Sequence, residues 1–282
     1  MVVIFALWLR NLKIFLRNKP ALIFNLAFPL FFIFVFGEIF RNDYMDNHVP
    51  FMLAGIIIAM VFDSALRVST STIDDITSGF MKEVLVSPVS RLSIAAGQFL
   101  SSATIAAVQG LIIFVVGFAI GLRVSSPLTV LWVVLAMAFV GLVFAGFGLF
   151  VATKSKNIQT FQAVSMAVTM PMTFLSGAYI PLSMLNDFLT HIAYFNPLTY
   201  AVNFFRAIVL ENMGAAPEVL AVYELSIDFP HLGTDFVITP WVSGLILLVF
   251  GTLFLVLSTI SFVRTDFSKL NRNKKDSMDI DW

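Results

Sequence analysis

Leu128-Thr-Val-Leu-Trp-Val-Val-Leu-Ala-Met-Ala-Phe-Val-Gly-Leu-Val-Phe-Ala-Gly-Phe-Gly-Leu-Phe-Val-Ala152 runs for 25 residues without one charged side chain. About 20 mostly apolar residues in a helix cross the hydrocarbon of a bilayer. Five further stretches qualify: Ala21–Phe40, Phe51–Ile73, Ala95–Leu122, Ile158–Tyr179 and Trp241–Val263. The expected fold class is therefore an all-α membrane protein with six transmembrane helices. Composition agrees, with 59% apolar residues, 12% charged residues and a mean hydropathy of +0.93. Soluble domains carry about 25% charged residues, too many for this chain to match. The absence of cysteine excludes disulfides, thiolate metal sites and cysteine nucleophiles. Met1–Leu9 has no basic segment ahead of its apolar run, so no cleavable signal is expected.

The net charge is zero, but the charges are segregated along the chain. Basic residues mark the cytoplasmic side of a multi-pass protein. With the N-terminus inside, thirteen Lys and Arg fall on cytoplasmic segments: Arg10, Lys13, Arg17, Lys19, Lys82, Arg91, Lys154, Lys156, Arg264, Lys269, Arg272, Lys274 and Lys275. Only Arg41, Arg123 and Arg206 fall outside, with Arg67 inside a span. Trp132 and Trp241 then begin spans at the outer interface, where aromatic residues anchor. The expectation is a protein of the cytoplasmic membrane with both termini cytoplasmic. Residues 1–19 read as an amphipathic helix lying on the membrane. Phe5, Trp8, Leu9, Leu12 and Leu16 share one face and Arg10, Lys13 and Arg17 the other, with Ile14 breaking the pattern. Such a helix anchors the chain or also seats a cytoplasmic partner. Residues 20–263 form the six-span domain and 264–282 a cytoplasmic tail.

No phosphate-binding loop, HExxH or GxSxG motif occurs, and no intramembrane Asp pair suited to proteolysis. His48, His191 and His231 are scattered over outer segments, so no catalytic residue, metal site or nucleic-acid surface is assigned. Energy must come from another chain or from an ion gradient. The most informative connection, residues 74–91, contains Gly79-Phe80-Met81-Lys82-Glu83-Val84-Leu85-Val86-Ser87-Pro88-Val89-Ser90-Arg91. Gly79 permits a sharp turn into a short segment whose Phe80, Val84 and Met81 make an apolar ridge beside Lys82 and Glu83. Ser87-Pro88 reads as the cap and first residue of the third span's helix. A ridge facing the cytosol is a docking surface or an amphipathic turn lying on the membrane.

This segment, with its Ser-Pro-Val-Ser-Arg ending, resembles the one before the third span of type-2 ABC transporter permeases. Phe174-Leu-Ser-Gly-Ala-Tyr-Ile-Pro-Leu182 resembles that family's fifth-span exit, and Phe195-Asn-Pro-Leu-Thr-Tyr200 followed by Arg206 resembles its "NP[LV]TY…R" element. The nearest relatives look like exporters of drugs and lipo-oligosaccharides. Two departures are Leu53-Ala54-Gly55, where relatives often carry Pro before the Gly, which is expected to straighten the outer end of span two, and a longer Met213–Ile238 loop. The resemblance implies a permease dimer driven by two separately encoded ATP-binding subunits. ATP and Mg would be held on those partners, with no cofactor in this chain. It also implies that Gly79, Phe80, Met81, Lys82, Glu83, Val84 and Arg91 belong to a coupling helix seated on the ATPase.

Two intramembrane patterns complete the reading. Asp63 and Arg67 stand one turn apart on span two, spacing that allows an ion pair. The pair is structural or forms a gate facing the dimer axis. On span five Gln162, Ser165, Thr169, Thr173 and Ser176 fall within about 80° of one another, a stripe serving helix packing or lining a path. Pro171 frees the carbonyl of Ala167 in the same helix. Gly117, Gly121, Gly141, Gly146 and Gly148 are expected to bring helices close together. Within the outer region, residues 180–240, Pro181–Glu211 is broken at Asn196-Pro197 and reads as re-entrant helices between spans five and six. The loop beyond it is made acidic by Glu218, Glu224, Asp228 and Asp235. The function expected is export of a hydrophobic or amphipathic substrate, of drug, lipid or glycolipid class. The alternatives are a secondary transporter or a membrane-embedded lipid-handling enzyme.

Overall fold

The computed structural model describes residues 2–39, 48–86, 89–120, 122–214, 216, 226–229 and 234–265. Ten helices are seen among them: α1 (Val2–Arg17), α2 (Lys19–Ile39), α3 (His48–Thr77), α4 (Phe80–Val86), α5 (Arg91–Ile120), α6 (Pro127–Lys154), α7 (Ile158–Phe174), α8 (Asp187–Tyr194), α9 (Pro197–Val209) and α10 (Pro240–Arg264). A short antiparallel hairpin joins β1 (Ser226–Phe229) to β2 (Thr234–Val237), with Ser226 opposite Val237. Local sequence sets many of the helix starts. Ser126, Asn157, Asn186 and Asn196 each accept a backbone N–H two or three residues on, and Pro127 and Pro197 occupy the first helical turn.

α3 is the central pillar. It packs against α2, α5, α6, α7 and α9, and 83% of its most apolar window is buried, against 22% for α10. Polar side chains join the buried faces, since hydrocarbon offers them no water. Ser64 of α3 donates to Gln109 of α5, the hydroxyls of Thr153 (α6) and Ser261 (α10) share a bond at 2.7 Å, and Asn203 of α9 donates to Ser243 of α10 at 3.0 Å. Gly141, Gly146 and Gly148 face α5, α10 and α3 respectively, and Gly117 faces Leu53. At Gly146 a methyl group would come within 2.9 Å of the Leu255 backbone nitrogen. Gly121 lies outside the described residues.

The expectation of several spans holds, at a coarser count. Four helices, α3, α5, α6 and α10, are long and apolar enough to cross a membrane among the described residues. Five are reached if α1 and α2, bent by 74° where they meet, count as one broken span. The helix within the expected fifth span is shorter than these. α7 has 17 residues, about 26 Å of rise against about 30 Å of hydrocarbon. The chain then turns at Gly177, where φ is +77°. The third expected helix begins later than its Ser-Pro signal. α5 starts at Arg91, and Ser90 Oγ accepts the Ser93 N–H at 3.2 Å; Ser87 and Pro88 lie outside the described residues. α3 runs unbroken through Leu53-Ala54-Gly55, where Gly55 is pressed against the Ala178 carbonyl. The hairpin is an exception to the all-helical fold expected, within the loop expected to be long and acidic. Arg41, Glu218, Glu224, His231 and the tail from Asp266 onward lie outside the described residues, as do the side chains of His48, Asp228 and Asp235.

The "NPLTY…R" element is a set of stitches. Asn196 caps α9 and donates to the Met172 carbonyl of α7 at 2.6 Å. Thr199 donates to the Ala193 carbonyl at 2.8 Å and Tyr200 to the Tyr194 carbonyl at 2.6 Å, closing the end of α8. Arg206 is buried. It reaches the carbonyls of Gly177 (2.9 Å) and Phe51 (3.3 Å), with its guanidinium 3.5 Å from the centre of the Phe51 ring. It is therefore an internal tie between α9, the α7 exit and α3. Just beyond α9, Glu211 accepts from Ser125 N and Thr129 Oγ1, and those bonds hold its carboxyl below the usual carboxylate range.

Replacing Arg206 by Met removes both bonds, leaves the Gly177 carbonyl without this donor and should cost about 1–3 kcal/mol. The check is thermal unfolding of the purified chain in detergent. An unchanged midpoint would show that this stitch carries no stability.

Candidate translocation cleft and the α4 segment

α2, α3 and α7 do not close on one another. Between them lies a cleft of about 450 Å³. Gln162, Ser165, Thr169 and Thr173 line it from α7, and Asp63, Arg67 and Thr70 from α3. The stripe and the ion pair, read separately from the sequence, thus meet in one cavity. The pair forms as its spacing predicts, with Arg67 Nε on Asp63 Oδ2 at 2.5 Å. Its side chains are 60% and 32% exposed, so neither charge is sealed in the core.

Ser176 is not part of the cleft. It is buried, donates to the Thr173 carbonyl at 2.7 Å and receives the Ala178 N–H at 3.3 Å, closing the end of α7. The reason is positional, since α7 ends at Phe174 and Ser176 lies in the turn beyond. Pro171 sits within α7 without ending it. The α2 wall, Phe24, Asn25 and Phe28, was not anticipated. Its only sequence signal is Asn25 within an otherwise apolar run.

At the other end of α3 lies α4, the segment that the resemblance assigns to coupling. Gly79 has φ +88° with open space where a Cβ would point, so the backbone hand alone requires glycine there. In α4 the expected outward ridge is turned inward. Met81 is 2% exposed and packs with Leu7, Ile76, Ile94 and Phe262, joined by half-buried Val84. A seven-residue helix has to bury its apolar side, and α1 supplies the cover. Glu83 and Val86 face outward; the Lys82 side chain lies outside the described residues. Arg91 donates to the Val263 and Thr265 carbonyls at 2.6 and 3.0 Å, tying the start of α5 to the last turn of α10.

Sequence reading missed the joint between α1 and this segment. Arg10 grips Asp75 with both terminal nitrogens, at 2.5 and 2.8 Å, while its guanidinium lies 4.3 Å from the Phe80 ring centre. Asn11 is buried and donates to Gln98 at 2.9 Å, and Trp8 donates to Thr104 at 3.0 Å. The face of α1 turned to the protein therefore carries Leu7 and Asn11, while Phe5 and Leu16 stay exposed. An apolar–basic pattern hides such an inner face, because Asn11 counts as polar wherever it points.

The sequence pattern of the ABC-2 type transporter family matches residues 2–210. The chain is 26% identical over 239 residues to the "Putative transport permease ycf38" of Cyanophora paradoxa, covering 81% of each. It is 29% identical over 217 residues to the "Nodulation protein J" of Rhizobium meliloti (strain 1021), covering 73% of this chain and 80% of that one. To the protein of that name in Rhizobium leguminosarum bv. trifolii it is 30% identical over 216 residues, with the same coverage. The quoted motifs fall inside the matched region, and the apolar helices make a multi-pass membrane protein. This chain belongs to the ABC-2 type transporter family of transport permeases.

Proposed function

We propose that the chain is the membrane-spanning subunit of an ATP-driven exporter, with the α2–α3–α7 cleft as one wall of the path for a hydrophobic or amphipathic substrate. The observation that carries this reading is the meeting of Gln162, Ser165, Thr169 and Thr173 with the Asp63–Arg67 pair in one open cavity. A mildly polar stripe closed on a neighbouring helix would be packing alone; here it borders empty space. A second copy of the chain supplies the facing wall. α2 and α7 then complete six spans, α1 lies along the inner surface of the cytoplasmic membrane, and α8 and α9 re-enter from the outside. Both termini and the tail are cytoplasmic.

ATP and Mg are held by two separate ATP-binding subunits, each seated on α4 through Glu83 and Val86. Supporting this reading, Met81 of α4 packs with Leu7 of α1, Ile76 of α3, Ile94 of α5 and Phe262 of α10, and Phe80 lies under Arg10, which also ties α1 to α3 through Asp75. A push on α4 is thereby passed to the helices around it. Such a push moves an equilibrium only if the partner contacts α4 differently in its two nucleotide states.

Three measurements test the scheme. Thr169→Phe should reduce substrate transport in proteoliposomes to near background while leaving yield and detergent stability unchanged, and Val164→Phe should be tolerated. If both variants instead lose about 1–3 kcal/mol of stability and transport falls in step, the stripe is packing. Arg10→Gln strands a buried carboxylate, at a cost of about 3 kcal/mol, and should uncouple ATP hydrolysis from transport. The charge swap Arg10→Asp/Asp75→Arg should restore coupling, and normal coupling in both single variants would make the grip a mere anchor. For orientation, Ala216→Cys should react with an impermeant thiol reagent from outside intact cells and Lys156→Cys should not, the native chain having no cysteine. The reverse labelling would invert the topology.

A further inference from the structure

The ion pair in the cleft has more hydrogen-bonding capacity than it uses. Only Nε of Arg67 is engaged, with Asp63 Oδ2; among the described residues its two Nη groups meet no acceptor. A guanidinium is a planar fork of five donors, and its open edge matches two oxygens of a phosphate or carboxylate. Ser165 Oγ lines the same cleft, is shielded from solvent and has no partner. A ligand oxygen would relieve that unmet donor. Phe24, Phe28, Met166 and Met170 supply an apolar wall beside these groups.

Depth argues for what enters. Arg67 lies eight residues before Asp75 on α3, about 12 Å along the helix axis toward the membrane interior. A free anion reaching that depth gives up its hydration, whereas the tail of an amphiphile gains the apolar wall. We infer that the cleft recognises an amphiphile with an anionic, phosphate-type head, held by the open edge of Arg67 next to Ser165. Asp63 competes with that head for the guanidinium, which keeps the site releasable. The inference rests on the cleft being the substrate path proposed above.

The test compares dodecyl phosphate, dodecyl maltoside and inorganic phosphate on the purified full-length chain in neutral-lipid nanodiscs. Apparent affinity is read from the ligand-induced rise in unfolding midpoint. Dodecyl phosphate should bind about tenfold more tightly than dodecyl maltoside, the worth of a charge-assisted hydrogen bond. Arg67→Gln should abolish that preference, while Asp63→Asn should enlarge it. Opposite signs are the decisive result, since a purely structural pair would be broken alike by either change. If Arg67→Gln does not fold, Arg67→Lys carries the test, because it keeps the charge, loses the fork and should weaken the preference. Equal affinity for the two amphiphiles in the wild type, or parallel loss in both variants, overturns the inference. Displacement by inorganic phosphate at matched concentration overturns the amphiphile assignment. If dodecyl maltoside binding is lost in Thr169→Phe, the cleft stands as the path even where head preference fails. If Thr169→Phe alters neither amphiphile, the path reading itself fails.

Discussion

Inside hydrocarbon a polar group without a protein partner has nothing else to bond with, and the helices are arranged around that demand. Buried hydroxyls and amides are spent joining one helix to the next: Ser64 to Gln109, Thr153 to Ser261, Asn203 to Ser243. Even the carbonyls exposed where α7 gives way to a turn are met, by Asn196 from below and by Arg206 from α9. α3 occupies the centre because it can be approached on every side, with Gly55 pressed on a neighbouring backbone and Ser64 bonded across to α5.

In the cleft this demand is not fully met. Ser165 keeps an unpaired hydroxyl and Arg67 an open donor edge there, while the other buried side-chain atoms without a partner among the described residues, Asn11 Oδ1, Thr72 Oγ1 and Gln98 Nε2, lie outside it. What sets the cleft apart is that its unmet groups border an open cavity, a natural location for something that comes and goes. Around α4, Arg10, Asp75, Met81 and Arg91 are all committed within the chain, and Glu83 and Val86 are what α4 turns outward.

Much of this was legible in the sequence, for definite reasons. Spans declare themselves by length and hydropathy, and Leu128–Ala152 falls within a continuous helix, α6. Asp63 and Arg67, four apart, pair because helical spacing leaves little choice. Gly79 was readable as a turn, since few residues but glycine accept its φ. What was not legible depends on distant partners. Asp75 meets Arg10 from 65 positions away, and nothing in either neighbourhood announces the other. The inward turn of Met81 depends on α1 lying over it, and the loss of Ser176 from the stripe depends on α7 ending at Phe174. The burial of Arg206 was hidden because hydropathy sees the residue and not the carbonyls it meets.

The grip of Arg91 on the last carbonyls of α10 has a practical consequence for handling the protein. It fixes the point at which the chain leaves its final helix, at Thr265, to the root of α5, and Phe262 of the same turn packs against the cluster that contains Met81. A bulky domain fused directly after Thr265 would therefore emerge on the face that α4 presents and crowd it, whereas an insertion near Ala216 would leave that face clear.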